Sequence, residues 1–198
     1  VALLAVPDLL ASSYSDAVWT TPTGADSKLR LSGQFMYQGG IGDDLLMECS
    51  CDTWAAGAKG EMILGKLTLT AGYTQISDEF NYQSPYGSWA GYTSMIVKDF
   101  NRAGEKALLL GLSYDFADLG AEGLVFTSLA AFDLDVDNDV PKWNEYDFTL
   151  DYRLSTLEDT DWAWLSPLWL RARYAYVDIG DDDDLNDFRI IANYEIQF

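Results

Sequence analysis

The chain has 198 residues, 48% of them hydrophobic and 14% aromatic, which suits one folded domain over residues 1–198 and is too rich in aromatics for disorder. Its 32 acids against 12 bases give a formal charge of −20, so the phosphates of a nucleic acid would be repelled and that partner class is excluded. Histidine is absent, and no Gly-x-Ser-x-Gly, His-Glu-x-x-His or Gly-rich phosphate loop occurs, so no enzyme chemistry, metal centre or cofactor is expected.

Apolar runs such as Ala107 to Leu112 fall well short of the roughly 18 residues that a membrane-spanning helix needs. Val1 opens in strand-like sequence, not in a basic region followed by an apolar one, so the chain reads as mature or truncated. Period-two alternation is the dominant pattern from there on.

A first strand lies within Leu9 to Thr20, and Thr21 to Ser27 form a compact turn. In the second strand Leu29, Leu31, Phe35 and Tyr37 oppose Lys28, Arg30, Ser32 and Gln34. The loop Gly39 to Asp52 holds the only cysteines, Cys49 and Cys51, whose spacing suggests a strained local disulfide or two free thiols. A weaker strand, Trp54 to Leu64, carries Lys59 and Glu61 and turns at Gly65. Leu67, Leu69, Ala71 and Tyr73 then face away from Lys66, Thr68, Thr70 and Thr74.

Ser77 to Glu105 is a long loop with Tyr82, Tyr86, Trp89 and Tyr92. These rings are expected to pack the loop on itself; stacking on a sugar or another solute is the alternative. Leu108, Leu110, Leu112, Tyr114 and Phe116 share a face, Ala117 to Ala121 turn, and Leu124, Phe126, Ala130, Phe132 and Leu134 follow. Past the acidic segment Asp133 to Asp139 and the loop Asp137 to Trp143, Tyr146, Phe148, Leu150, Tyr152 and Leu154 oppose Glu145, Asp147, Thr149, Asp151 and Arg153.

The connection Thr156 to Pro167 falls where a short turn is expected, yet it is long and carries Trp162 and Trp164, which suit a membrane interface or extensions of the flanking strands. Leu168, Leu170, Ala172, Tyr174 and Tyr176 then alternate with Trp169, Arg171, Arg173 and Ala175. Asp181 to Asp184 read as a solvated loop tip, with Ca²⁺ binding the weaker alternative. In the last strand Phe188, Ile190, Ala192, Tyr194, Ile196 and Phe198 oppose Arg189, Ile191, Asn193, Glu195 and Gln197.

About nine strands of roughly 10 to 14 residues result, longer than the usual five or six and long enough to span a bilayer. Short turns alternate with longer polar loops. A transmembrane antiparallel β-barrel is the all-β fold that satisfies these features, because closing strands is how sheet satisfies its backbone in lipid. Eight of the 12 bases fall on polar-face positions of these strands: Lys28, Arg30, Lys59, Lys66, Arg153, Arg171, Arg173 and Arg189. In a barrel they project into an aqueous lumen beside Glu61, Asp147, Asp151 and Glu195. A soluble β-sandwich alternates too, but would bury its apolar face in a core.

The ending Asn186 to Phe198 resembles the terminal strand of outer-membrane proteins. With the segments Asp99 to Ala107, Gly111 to Phe116 and Gly120 to Phe126, it resembles the C-terminal half of the OprD-type outer-membrane porins. The resemblance implies half of an 18-stranded barrel. It also implies passive diffusion of small anionic or zwitterionic solutes past a ladder of lumen bases, here the eight above. It implies an assembly signal in Tyr194, Ile196 and Phe198 read by the barrel-assembly machinery, and a bacterial outer-membrane setting among lipid and lipopolysaccharide.

An odd strand count cannot close an antiparallel barrel, so the chain is expected to lack strands on its N-terminal side; a small closed barrel of eight or ten strands is the less favoured arrangement. Two other functions stay open: a small or composite barrel that anchors or sheathes a partner protein without conducting, and a soluble binding module. A homo-oligomer is left open as well.

Overall fold

The computed structural model describes residues 1–42, 52–84, 87, 89–136, 140–180 and 182–195. Cys49, Cys51, Tyr86, Asp137, Asp139, Asp181, Ile196 and Phe198 lie outside the described residues.

Ten strands form one sheet: β1 (Ala2–Val6), β2 (Leu10–Pro22), β3 (Ser27–Gly40), β4 (Thr53–Leu64), β5 (Leu67–Ile76), β6 (Lys106–Asp115), β7 (Leu124–Asp135), β8 (Asn144–Arg153), β9 (Leu168–Asp178) and β10 (Leu185–Tyr194). Each pairs antiparallel with its neighbour in chain order, so β1 and β10 are the edges of the sheet among the described residues. The tenth strand is β1, which pairs with the Leu10 to Tyr14 half of β2. Its sequence, Ala-Leu-Leu-Ala-Val, has no polar position and therefore no alternation to read.

The tight connections sit at one end of the sheet. Leu64 pairs with Leu67 around a two-residue turn, and Gly65 takes a φ of 57° at its first position, as a type II′ hairpin requires. Between β6 and β7 the chain makes a 3-10 turn, Phe116–Leu119, capped by Asp115, whose carboxylate accepts from Ala117 N at 2.9 Å. Gly123 has a φ of 81°, and a Cβ there would collide with the Arg153 carbonyl, so only glycine lets β7 enter the sheet. The 154–167 connection contains two 3-10 turns, Ser155–Leu157 and Ala163–Leu165. Trp162 and Trp164 are exposed, and Tyr194 donates to the Trp164 carbonyl at 2.6 Å.

Register keeps the two faces chemically distinct across the sheet. Leu69 pairs with Leu112, Tyr114 with Phe126, and Phe126 with Leu150, so one face is continuously apolar. No described segment covers it: Leu110, Leu150 and Ile190 are 46%, 43% and 75% exposed. A water-soluble sandwich would have buried these side chains, whereas hydrocarbon accommodates them. Aromatics flank the aliphatic band, with Tyr37, Trp54, Phe132, Tyr146 and Tyr176 toward the long-loop end and Trp19, Tyr114, Tyr152 and Tyr194 toward the turn end. Phe148 stacks on Tyr174 and Tyr146 on Tyr176 across β8 and β9.

Burial occurs instead on the polar face, under the 77–105 loop. Met36, Ala55 and Ile76 close over Tyr82 and Trp89, while Ala107, Leu109 and Ala131 close over Phe100.

Candidate functional site

The polar face is organised by cross-strand rows. Asp151 of β8 faces Arg171 of β9; one row on, Thr149 faces Arg173, which faces Arg189 of β10; a further row on, Asp147 faces Ala175 and then Asp187. Alternation thus brings a carboxylate beside a guanidinium at the turn end and stacks two arginines side by side at mid-strand.

Arg171 grips Asp151 through Nε at 2.6 Å and Nη2 at 3.0 Å, and Trp169 Nε1 adds a third donor to Asp151 at 2.9 Å. Arg189 holds Asp187 of its own strand with two bonds of 2.8 Å. Glu61 is shared by Arg30 at 3.4 Å and Lys59 at 3.8 Å, and Lys59 also lies 5.0 Å from the Tyr92 ring. Among the described residues Lys28, Arg153 and Arg173 have no carboxylate within ion-pair distance. Arg153 lies over the Trp169 ring at 5.3 Å.

Two predicted residues lie at the turn end of the sheet and not within a described strand. Lys66 belongs to the tight turn and not to a strand, because Gly65 ends β4 one residue earlier; it bonds Asp115 at the rim at 3.2 Å, and that bond raises its pKa. Glu195 follows the last described strand residue, and its N–H donates to the Pro167 carbonyl at 3.3 Å, at the turn end.

The 77–105 loop folds onto this face. Near its start Gln38 and Gln83 exchange two hydrogen bonds of 2.9 Å, Thr53 donates to the Phe80 carbonyl at 2.8 Å, and Thr74 and Thr93 share one of 2.6 Å. Its aromatics pack on one another, as expected, and on the strands as well: Tyr82 and Trp89 lie 4.9 Å apart over Met36 and Ile76. Gly57 leaves the slot that the Tyr92 ring enters; a Cβ there would lie 3.1 Å from it.

The loop then reaches β8, where Ile96 N donates to Asp147 at 3.0 Å and Val97 N and Lys98 N donate to Glu145 at 2.7 and 2.6 Å. Asp147 thus serves the loop, unlike the solvated acid expected from its position. Returning to β6, Arg102 donates to Glu105 at 2.6 Å, to the Pro141 carbonyl at 2.6 Å and to Asp133, with its guanidinium 3.3 Å above Trp143. Burial raises the Glu105 pKa more than Arg102 lowers it. Glu145, Arg102 and Glu105 were absent from the expected set. For Glu145 the signal was present, since it shares the face of Asp147 two residues away; Arg102 and Glu105 lie in a loop, where no periodicity reports orientation.

A family model described as outer membrane porin, OprD family, matches residues 5–198. No curated protein matches. Three solved structures from Pseudomonas aeruginosa are similar: OccK1 (OpdK) at 20% identity and TM-score 0.82, covering 96% of this chain and 50% of that one; OpdL at 21% and 0.85, covering 97% and 53%; and OccK10 (OpdN) at 22% and 0.82, covering 96% and 54%. These likenesses concern the fold, and the chain spans about half the length of each. With a bare apolar face, a charged face that receives a long loop, and a family match over nearly its whole length, the chain belongs to the OprD family of outer membrane porins.

Proposed function

We propose that this chain supplies one wall of an outer-membrane channel through which small anionic or zwitterionic solutes diffuse passively. The observation that carries the reading is the division of the sheet: apolar side chains on the face that no described residue covers, bases on the other. Lipid and the acyl chains of lipopolysaccharide take the first face, and the lumen takes the second. Among the described residues β1 and β10 each have one free edge, and in this reading further strands pair with both to close the barrel.

Lys28, Arg30, Lys59, Arg153, Arg171, Arg173 and Arg189 are then lumen bases, with Lys66 at the rim. Glu61, Asp151 and Glu195 are the acids that orient a passing dipole, and Asp147 holds the loop. Arg173, with no carboxylate of its own among the described residues, is the rung best placed to meet a solute carboxylate. A crystal structure of OpdK with vanillate fits this chemistry, since vanillate carries a carboxylate. Tyr194, with Ile196 and Phe198 beyond it, serves recognition by the barrel-assembly machinery.

Planar-bilayer recording of the whole porin containing this chain tests the reading. Replacing Arg171 and Arg173 together by Glu shifts ion selectivity toward cations; unchanged selectivity would remove both from the lumen. A correctly assembled barrel with no conductance would favour an anchoring role.

A further inference from the structure

We propose that the 154–167 connection is a membrane-interface foot, with the Trp162 and Trp164 rings seated in the phospholipid headgroup layer at the turn end of the barrel. The inference uses the lipid-facing side of the sheet and not the lumen, so it stands apart from the channel reading above.

The connection is longer than its task requires. Two residues suffice to turn the chain from β4 into β5, whereas β8 and β9 are joined by a segment that contains two 3-10 turns. Its own backbone folds that segment: Leu157 N donates to the Leu154 carbonyl at 2.9 Å, Ala163 N to the Thr160 carbonyl at 3.0 Å and Leu165 N to the Trp162 carbonyl at 2.8 Å. The Thr160 hydroxyl accepts from Trp162 N at 3.1 Å and donates to the Leu157 carbonyl at 2.8 Å. None of these bonds uses an indole. The two rings lie 6.4 Å apart and are 58% and 61% exposed, so packing within the protein does not account for them. An indole suits the boundary between water and hydrocarbon, where its ring meets acyl chain and its N–H meets a headgroup oxygen.

Tyr194 fixes the side on which the rings lie. It pairs with Leu168, shares the parity of Phe188 and Ile190 on the bare face, and donates its hydroxyl to the Trp164 carbonyl at 2.6 Å. The second 3-10 turn therefore sits at the foot of the lipid-facing side. Trp19, Tyr114 and Tyr152 stand at the same end of that face, and the two indoles continue this row of rings past the last residue of β8. Continuity with the lipid-facing surface makes phospholipid the occupant. Three carboxylates limit the depth. Glu158, Asp159 and Asp161 are exposed, and among the described residues no base lies within ion-pair distance of them. Ionised acids stay in water, so the segment lies along the headgroups and its rings do not sink to mid-bilayer.

Tryptophan fluorescence tests the placement in the whole porin containing this chain, reconstituted in vesicles of phosphatidylethanolamine and phosphatidylglycerol. The emission of the pair is the difference between wild type and Trp162→Phe/Trp164→Phe, a change that keeps an apolar ring at each position and every backbone bond. Lipid brominated close to the headgroup quenches that emission about twofold more than lipid brominated at the chain ends. Acrylamide, which is uncharged and so not repelled by the neighbouring acids, quenches it less than the headgroup-brominated lipid does. Where the double variant does not assemble, Trp162→Phe and Trp164→Phe singly give the same comparison. Stronger quenching by acrylamide would leave the rings in water and overturn the foot. Quenching by neither reagent would put a protein surface over them, and equal or stronger quenching from the chain ends would put them in hydrocarbon; each overturns it too. Headgroup quenching in vesicles that show no ion conductance would overturn the channel reading and keep the foot.

Discussion

Arg171 and Asp151 face each other across β8 and β9 and are joined by two parallel bonds of 2.6 and 3.0 Å, so the charge of this rung is neutralised inside the wall. Arg173, two residues on, has no such partner among the described residues. The two arginines are therefore unequal despite sharing a strand and a face. Arg173→Ala lowers the permeability ratio of a small carboxylate over potassium about fivefold, the worth of roughly 1 kcal/mol of solvated ion pairing. Arg171→Ala releases Asp151 as a new lumen anion, so its main effect is increased cation permeability. Reversal potentials in bilayers with a carboxylate salt gradient measure both.

The apolar face makes a second prediction through a pair of neighbours. Leu150 lies on the bare face and Thr149 on the charged one, one residue apart in β8. Leu150→Arg costs about 2–4 kcal/mol in a lipid bilayer, because a guanidinium near mid-strand meets hydrocarbon. Thr149→Arg costs about 1 kcal/mol, because the same group enters the solvated face and its cost there is the like charge of Arg173 directly opposite. Equilibrium unfolding from lipid vesicles gives both values, and equal costs would show that the two faces share one solvent.

Strand identity and facing were legible because each β8 to β10 position repeats every second residue, and a membrane strand has only two environments to report. Phe148, Leu150 and Tyr174 on one side and Asp151, Arg171 and Arg189 on the other follow from parity alone. Pairing between charges was not legible, since Asp187 partners Arg189 within one strand while Asp151 partners Arg171 across two. The course of the 77–105 loop was hidden for a different reason: its contacts with Gln38, Thr74 and Glu145 join residues far apart in sequence through backbone groups that every residue carries.

Gly57 gives a third prediction. Its missing side chain admits the Tyr92 ring, and an added Cβ would also lie 2.9 Å from the end of the Gln34 carboxamide. Gly57→Val pushes Tyr92 off the wall, away from the Lys59 ammonium. The expected result is a reduced single-channel conductance with a stability loss of about 1–3 kcal/mol. An unchanged conductance would mean that Tyr92 already stands clear of the solute path.

Arg102 ties the return of the loop to β7 and to the 140–143 segment, and Glu105 beneath it is almost fully buried. Arg102→Ala leaves the Glu105 and Asp133 carboxylates buried without their cation, a loss of about 3–5 kcal/mol in the seating of that loop segment. Burial already holds the Glu105 pKa above the usual carboxylate value, so the protonated acid is favoured in the folded state over the released one. For a carboxyl raised in this way the contribution to folding is present at low pH and disappears as pH rises through the folded-state value. Without Arg102 the shift is larger, because the opposing attraction is gone. Nicking of the 77–105 loop by an added protease should therefore be fast in Arg102→Ala at neutral pH and slow as the solution is acidified, while the wild type changes less over the same range. A variant cleaved at one rate across that range would show that Glu105 is already solvated once Arg102 is removed.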